Sequence, residues 1–363
     1  MSTLADLLRE MIASEGPMPL ERFMAIANGH PTLGYYASRD PFGAAGDFTT
    51  APEISQMFGE LVGLWAAEAW RACGAPSSVH LVELGPGRGT MMADALRAAR
   101  VAPDFLAAVQ IHLVEASPSL GARQRETLAD VADKTHWHAT LDSVPQGAAI
   151  ILANEFFDAL PVRHYVRIAG AWHERLVGLD ESGTFVWGSS PQREDDLRLE
   201  APDDAVLEIA AVAQRVMTSL AQRIVDHGGA LLAIDYGHIE TGLGETLQAV
   251  RRHRFVDPLD APGTADLTAH VDFAALARAA QAVGAQVRGP VTQRFFLEQI
   301  GIRARAAALS KRTTPEGAQK IATALNRLTA DDTPTAMGAL FKAIAVVRDG
   351  TPPLAGFITE GEA

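Results

Sequence analysis

A glycine-rich loop with the sequence Glu83-Leu84-Gly85-Pro86-Gly87-Arg88-Gly89 follows a short apolar run and precedes a helix that Thr90 is predicted to cap. Glycine lets the backbone turn sharply and approach a ligand closely, and the unpaired amides at the start of the next helix favour polar or anionic groups. Further apolar runs at residues 111–115, 149–153 and 230–235 alternate with helical segments, as buried parallel strands do. This order of strands and helices predicts a doubly wound α/β sheet.

The spacing of the glycines distinguishes between candidate cofactors. Dinucleotide-binding loops place their third glycine three positions after the second, whereas Gly85, Gly87 and Gly89 are evenly spaced and Glu83 lies two positions before them. This spacing favours S-adenosylmethionine (SAM) over NAD. A phosphate-binding loop is excluded because no Gly-Lys-Ser or Gly-Lys-Thr occurs. A glycine-rich turn without a ligand remains the alternative. The residues predicted to bind the cofactor in this loop are Glu83, Gly85, Pro86, Gly87 and Gly89.

Glu115 ends the second predicted strand, about thirty residues after the start of the loop. A carboxylate at this position can accept hydrogen bonds from both hydroxyls of a ribose in the crevice beyond the strand ends. Glu115 alone could equally be a solvated strand end. Together with the glycine loop, it predicts a ribose contact.

Polar residues also follow the strand predicted at residues 149–153, in the segment Asn154-Glu155-Phe156-Phe157-Asp158-Ala159-Leu160-Pro161. Chemistry in open α/β folds is usually located where the carboxyl ends of the strands meet. Two acids and an amide among aromatic residues suit a cationic or amide acceptor, and a helical turn would bring Glu155 and Asp158 to one side. The alternative is that Asn154 caps a turn and the acids are solvated. We predict that Glu155, Asp158 and Asn154 are catalytic.

Residues 1–75 are predicted to form an N-terminal helical region with a glycine-rich loop from about residue 31 to residue 50. Thr50 as cap, Pro52 in the first turn and Glu53 predict a helix from Thr50 to about Arg71. The segment 43–50 is predicted to be a lid that closes over the cofactor. We expect it to contribute Asp47 to catalysis and Thr50 to cofactor binding.

Residues 76–363 are predicted to form the core that binds the cofactor. An insertion at about 162–200 contains three short strands separated by turn residues, which predict a β-meander followed by a polar loop from about Ser189 to Asp196. A long helix is predicted from about Asp204 to Asp226, and further helical elements are expected towards the C-terminus. Two weaker candidate sites, Asp235 to His238 and Asp266 to Asp272, are more simply helix caps or packed histidines.

Composition excludes several classes of protein. The chain has 363 residues, of which 48% are hydrophobic, and a formal net charge of -13, so a broad nucleic-acid-binding surface is not expected. The single cysteine indicates a reducing compartment, and the acidic residues of the N-terminal amphipathic helix differ from a targeting peptide, so we expect a cytoplasmic protein. No apolar run approaches the roughly 20 residues of a membrane helix. No His-Glu-x-x-His or Cys/His spacing indicates a metal site.

Five segments together resemble the MidA family. These segments are Gly46 to Glu60, Glu83 to Thr90, Asn154 to Pro161, Asp235 to Gly237 and Gly263 to Phe273. The resemblance covers nearly the whole chain, and its first and last segments are distinctive. Members of this family are SAM-dependent methyltransferases, and the mitochondrial members assist assembly of respiratory complex I and are implicated in dimethylating an arginine of its 49-kDa-type subunit. The resemblance implies methylation of a protein arginine, with a complex I subunit as partner.

We therefore expect a Rossmann-like SAM methyltransferase sheet with an N-terminal helical region and an inserted β-meander. The expected reaction is transfer of a methyl group from SAM to nitrogen, with an arginine guanidinium as the acceptor that the resemblance implies. Two alternatives remain open. The chain could methylate a small molecule, or it could be an assembly chaperone that binds SAM and has lost catalysis. Fold alone does not distinguish these functions.

Overall fold

A computed structural model of the chain describes residues 3–38 and 50–358. Its helices are α1 (Leu4–Glu15), α2 (Leu20–Gly29), α3 (Tyr35–Ser38), α4 (Ala51–Ile54), α5 (Gln56–Ala72), α6 (Thr90–Ala98), α7 (Pro103–Ala108), α8 (Pro118–Thr127), α9 (Ala211–His227), α10 (Phe273–Gln281), α11 (Gln293–Gln299), α12 (Ile302–Ser310), α13 (Pro315–Thr329) and α14 (Met337–Leu340). Its strands are β1 (Met18–Pro19), β2 (Val79–Leu84), β3 (Val109–Val114), β4 (Thr135–His138), β5 (Ala149–Asn154), β6 (Arg163–Ile168), β7 (Ala171–Leu179), β8 (Phe185–Arg193), β9 (Val206–Ile209), β10 (Gly229–His238), β11 (Gln248–Arg251), β12 (Arg254–Val256), β13 (Asp266–Thr268), β14 (Val271–Asp272), β15 (Gln286–Thr292) and β16 (Phe341–Val347).

The large sheet has the strand order β15-β16-β10-β5-β2-β3-β4. Strands β4, β3, β2, β5 and β10 run parallel, and β16 is antiparallel to both of its neighbours. Helices α5, α6 and α11 to α13 pack on one face, and α9 and α10 pack on the other. This arrangement confirms the predicted doubly wound α/β fold. The chain order reverses between β2 and β5, so the crevice of the fold lies at the carboxyl ends of these two strands.

A second sheet has the order β1-β7-β6-β9, with β8 paired to β7. Strands β6, β7 and β8 confirm the predicted meander, but two predicted boundaries are wrong. Strand β8 continues to Arg193, where a polar loop from Ser189 was predicted, and β9 occupies the start of the helix predicted from Asp204. The reason for β9 is tertiary, because it pairs with β6 and its Leu207 packs with Tyr165 and Trp172.

The first two helices pack on strands from later in the chain. Leu8 of α1 and Phe23 of α2 share a core with Val177 of β7 and with Leu267 of β13, which belongs to a small sheet of order β12-β11-β13. Helix α5, by contrast, packs on the large sheet. The domain boundary at about residue 75 stays a prediction.

The helix predicted from Thr50 to Arg71 consists of two helices, α4 and α5, with Ser55 between them. Ser55 has extended backbone angles, and its hydroxyl oxygen accepts a hydrogen bond from the amide of Met57 at 3.2 Å, so it caps α5. Thr50 precedes α4 as predicted, but its side chain makes no capping hydrogen bond. The extended backbone of Ser55 interrupts the helix between α4 and α5. No helix in the described ranges is long and apolar enough to cross a membrane.

Candidate functional site

A cavity of about 740 Å³ opens at the carboxyl ends of β2, β3 and β5. Part of its wall comes from the large sheet and its loops, including Gly85, Gly87, Glu115, Ser117, Leu141, Asp142 and Phe156. Another part comes from Asp158 in the loop after β5, from Tyr236 of β10, and from elements outside the large sheet, including Asn28, Tyr36 and Asp266. The cavity therefore joins the glycine loop to a cluster of acids and tyrosines.

The glycine loop has the backbone that its sequence predicts. Gly85, Gly87 and Gly89 have φ angles of 61°, 54° and 79°, in the left-handed region where other residues are strained. The amide of Gly85 donates to the carbonyl of Val114 at 3.0 Å, and the side-chain amide of Gln124 donates to the carbonyl of Gly87 at 2.8 Å. These bonds hold the loop against β3 and α8 with its backbone along the cavity wall.

Helix α6 begins differently from the prediction. Gly89 is the residue that precedes the helix, and Thr90 is its first residue rather than its cap. The hydroxyl of Thr90 instead donates to Oε1 of Glu53 at 2.7 Å, so it links the glycine loop to α4. A helix start that leaves its own amides without a side-chain cap keeps them available to a ligand.

Glu115 directly follows β3 and lies in the cavity wall. One carboxylate oxygen accepts from the amide of Ser117 at 2.7 Å, and the other accepts from Nε2 of Gln124 at 3.2 Å. Burial raises the pKa of Glu115 to about 6, and these hydrogen bonds partly oppose that rise. Each oxygen retains a lone pair, so the carboxylate can still accept from two hydroxyls.

A smaller cavity of about 40 Å³ lies behind the glycine loop, and both Glu83 and Asn154 line it. Within the described part of the chain, Oε2 of Glu83 and Oδ1 of Asn154 are buried acceptors without a hydrogen-bond partner. Burial raises the pKa of Glu83 to about 8. Two orphaned acceptors facing one small cavity are suited to a donor with several N–H groups, such as an ammonium.

The acidic segment after β5 is a loop and does not form the helical turn that would place Glu155 and Asp158 on one side. The amides of Phe156, Phe157 and Asp158 all donate to Oδ2 of Asp235, at 3.1, 2.9 and 3.2 Å. Asp235 is fully buried, and burial raises its pKa well above the ordinary range. The loop is therefore wrapped around a side chain of β10, and no turn of helix is needed to bring its acids to the cavity.

Glu155 has a φ angle of 50°, a strained conformation for a residue with a side chain. Its Oε1 accepts hydrogen bonds from the amide of Ala51 and from Nδ2 of Asn154, each at 3.1 Å. The first of these bonds serves the start of α4 in place of the predicted cap from Thr50. Burial raises the pKa of Glu155 to about 7, and the charge of Asp158 adds to the rise.

Asp158 is only 7% exposed, and its Oδ2 accepts a hydrogen bond from the hydroxyl of Tyr236 at 2.6 Å. Its other oxygen, Oδ1, is a buried acceptor without a hydrogen-bond partner among the described residues. Burial raises the pKa of Asp158 to about 6. Asp158 lines the larger cavity, and a buried carboxylate oxygen without a donor favours a ligand that brings an N–H group to it.

The structure brings most of the predicted residues to the two cavities. The residues that line one or both are Thr50, Glu83, Gly85, Pro86, Gly87, Glu115, Asn154, Glu155 and Asp158. Gly89 is not among the lining residues and packs against Gln124. Asp47 and the rest of the predicted lid before Thr50 lie outside the described residues. Tyr36, Tyr236 and Asp266 were not predicted as site residues, although two of them belong to segments that were weaker candidates.

Comparison with known proteins gives three kinds of match. A family model described as "Putative S-adenosyl-L-methionine-dependent methyltransferase" matches residues 61–291. The chain is 38% identical to the protein arginine methyltransferase NDUFAF7 homolog, mitochondrial, of Drosophila melanogaster, over 95% of this chain and 84% of that protein. It is 39% identical to the mitochondrial protein arginine methyltransferase NDUFAF7 of Danio rerio, over 86% of this chain and 80% of that protein.

A crystal structure of a protein from Burkholderia thailandensis, described as a "likely methyl transferase" and bound to S-adenosyl-homocysteine, also matches. It has a TM-score of 0.85 and 31% sequence identity, and the match covers 99% of this chain and 95% of that one.

The two relatives named above are mitochondrial, so they do not support the predicted cytoplasmic location.

Proposed function

Because the chain belongs to the family of SAM-dependent methyltransferases, with SAM as its cofactor, we propose that it methylates an arginine on a protein. The observation that carries this proposal is that Asp158 lines the same cavity as the glycine loop and that its buried Oδ1 has no hydrogen-bond partner among the described residues. The names of the two mitochondrial relatives support arginine as the acceptor. The family resemblance adds a complex I subunit as the target, and we include it in the proposal.

The residues around the glycine loop fit the parts of SAM. We propose that SAM lies along the backbone of Gly85 and Gly87, and that Glu115 accepts hydrogen bonds from the ribose hydroxyls of SAM. The orphaned acceptors of Glu83 and Asn154 suit the ammonium group of its methionine part. Thr50 lines both cavities, which supports a contact with the cofactor.

A charge argument supports Asp158 and Glu155 as catalytic residues. When bound, SAM supplies a methyl group on a cationic sulfur. An arginine guanidinium also stays protonated in proteins, and two positive charges about 4 Å apart repel by roughly 1–4 kcal/mol, depending on the dielectric. The carboxylates of Asp158 and Glu155 offset this repulsion, and Asn154 holds Glu155 by a hydrogen bond.

The proton balance of the reaction requires a proton acceptor, and we propose this second role for Asp158. As the methyl group passes from sulfur to a guanidinium nitrogen, that nitrogen must lose one proton, so that the product again carries a single positive charge. We propose that Asp158 accepts this proton through Oδ1, because that oxygen has no donor among the residues that the structure describes. A carboxylate with a pKa of about 6 can accept a proton and return it to water at neutral pH.

Labelling in a cell lysate tests the proposed acceptor. The protein is incubated with SAM carrying an isotopic methyl label and a lysate of cells that lack the protein, and labelled products are identified by mass spectrometry. We expect label on an arginine of a protein, and no such label with Asp158→Asn. Label on small molecules alone would indicate a small-molecule methyltransferase, and no label at all would indicate a chaperone that has lost catalysis.

A further inference from the structure

Two hydrogen-bonded pairs of a tyrosine and an aspartate line the 740 Å³ cavity. Tyr236 of β10 donates to Asp158 at 2.6 Å, and Tyr36 of α3 donates to Asp266 of β13 at 2.8 Å. The four residues come from four different parts of the chain. Their convergence on one cavity is therefore a product of the fold and not of local sequence.

Several contacts tie the two pairs into one unit. The amide of Ala269, which follows β13, donates to the carbonyl of Asp158 at 3.0 Å. Nε2 of Gln248 lies 3.4 Å from the hydroxyl of Tyr236 and 3.2 Å from that of Thr268. Burial raises the pKa of Tyr36 well above its ordinary value, and the charges of both Asp266 and Asp158 add to the rise. Tyr36 therefore lies within electrostatic reach of both carboxylates.

The phenol of Tyr236 fixes the direction of the Asp158 carboxylate. A tyrosine that stays protonated can only donate its proton to one oxygen, so the remaining acceptor capacity of the aspartate is directed elsewhere. For Asp158 that capacity is Oδ1, which is buried and lacks a donor in the described part of the chain. A guanidinium is planar and has five N–H donors, so it can donate to two carboxylates from different edges at the same time.

We propose that the pairs Tyr236–Asp158 and Tyr36–Asp266 form a two-carboxylate subsite that binds the planar cation of the acceptor, with both tyrosines as positioning residues. The inference rests on the proposed function for the identity of that cation as an arginine. Binding of a planar cation can nevertheless be measured without any methyl transfer, so the two proposals can fail separately.

Calorimetric titration of the protein saturated with S-adenosyl-homocysteine tests the subsite. The probe is methylguanidinium, and tetramethylammonium serves as a cation of equal charge without N–H donors. We expect saturable binding of methylguanidinium only, and a loss of about tenfold or more in Asp158→Asn and in Asp266→Asn. Asp104→Asn is the matched control, because Asp104 is an exposed acid in α7, before β3, and should leave binding unchanged.

The tyrosines have a separate readout in the pH dependence of binding. The groups around Asp158 are Glu155 on the same loop, Asp235 and Tyr236 on β10, Tyr36 on α3 and Asp266 on β13. The hydrogen bond from Tyr236 lowers the pKa of Asp158, so Tyr236→Phe should raise that pKa. Because binding requires the carboxylate to be ionised, its pH midpoint should move upward in this variant. A purely structural role would leave the midpoint unchanged.

Unchanged affinity for S-adenosyl-homocysteine in every variant verifies that the cofactor site is intact. Absence of methylguanidinium binding to the parent protein would overturn the subsite, and so would binding within twofold of the parent in both aspartate variants. If methylguanidinium binds as expected but the lysate experiment labels no arginine, the cation subsite stands and the proposed function fails.

Discussion

Burial of Glu83 destabilises the ligand-free fold at neutral pH, although we propose that the same residue binds the cofactor. Its pKa of about 8 in the folded protein lies above the ordinary value of 4.5 because the side chain is buried. The carboxyl group therefore stays protonated in the folded chain at neutral pH, whereas in the unfolded chain it ionises. This difference destabilises the fold progressively as the pH rises from about 4.5 to about 8.

Glu83→Gln should separate the two effects. The amide removes the titration, so the free energy of unfolding of the ligand-free variant should exceed that of the parent by an amount that grows from pH 5 to pH 8. Each pKa unit corresponds to about 1.4 kcal/mol, which sets the scale of the gain. SAM affinity should fall about tenfold, since hydrogen bonds to charged groups contribute about 1.5–3 kcal/mol. Denaturant unfolding and calorimetry measure the two quantities, and unchanged SAM affinity would show that the ammonium is bound elsewhere.

Residue types and spacing indicated the glycine loop, Glu115 and the acids that follow β5, but not Tyr36 or the contacts that position those acids. The glycines and Glu115 are recognisable because the loop and the strand end are local in sequence. Asp235 holds amides that lie 77 to 79 positions away, and Tyr36 meets Asp266 across 230 positions. No periodicity in the sequence predicts such distant contacts. The position of Asp235 at the end of an apolar run did indicate that it could lie near the site.

At the scale of elements, the loop after β5 depends on one side chain of β10. Asp235→Ala removes the acceptor of three amides, so the loop should lose its position. Net hydrogen-bond contributions of about 1 kcal/mol each predict a loss of roughly 2–4 kcal/mol in the free energy of unfolding. Asp235→Asn retains an oxygen for the amides and should lose much less. Thermal unfolding measures the loss in the free energy of unfolding of both variants. Equal losses in Asp235→Ala and Asp235→Asn would contradict the role of the side-chain oxygen of Asp235 as the acceptor of the three amides.

Elements were predicted well where the pattern is long and local. The strands β2, β3, β5 and β10 are apolar runs between turn residues, and all of them are confirmed. Strand β9 has four residues and was assigned to a helix, since so short a run has no period of its own. The break at Ser55 was also missed, because the apolar residues on either side of it fit one continuous helix.

At the scale of the whole molecule, cofactor binding should stabilise the entire fold. A ligand that binds only the folded state at 100 times its dissociation constant adds about 2.7 kcal/mol. The melting temperature should therefore rise with the concentration of S-adenosyl-homocysteine. Gly87→Val should abolish this rise, because a side chain there is strained at a φ of 54° and projects at the cavity wall.

Gly170→Val is the matched control for this experiment. Gly170 has a φ angle of 77° and open space around it at the turn between β6 and β7, so the backbone strain is similar but no cavity is affected. We expect both variants to fold, with melting temperatures a few degrees below the parent, and only Gly170→Val to respond to the ligand. A normal response in Gly87→Val would refute the cofactor assignment of the loop.

The shared core of the N-terminal helices with the small sheets could not be predicted from sequence. Composition and alternation indicate that helices α1 and α2 have an apolar face, but not which surface covers it. In the structure, Asn28 of α2 donates to the carbonyl of Leu267 at 2.7 Å and so joins the first helices to the acceptor side of the cavity. The N-terminal helices thus contribute to a cavity whose other side is the glycine loop of the large sheet.

Single-turnover transfer of a heavy-isotope methyl group from SAM to an identified acceptor arginine tests the central claim most closely. We predict label on a guanidinium nitrogen, with Asp158→Asn and Glu155→Gln each at least about 100-fold slower than the parent, the scale of losing one preorganised electrostatic contact. SAM affinity should stay nearly unchanged in both variants. If each variant retains more than about a third of the parental rate, or if the label lies on another kind of residue, the assignment of the acidic pair to arginine methylation is wrong.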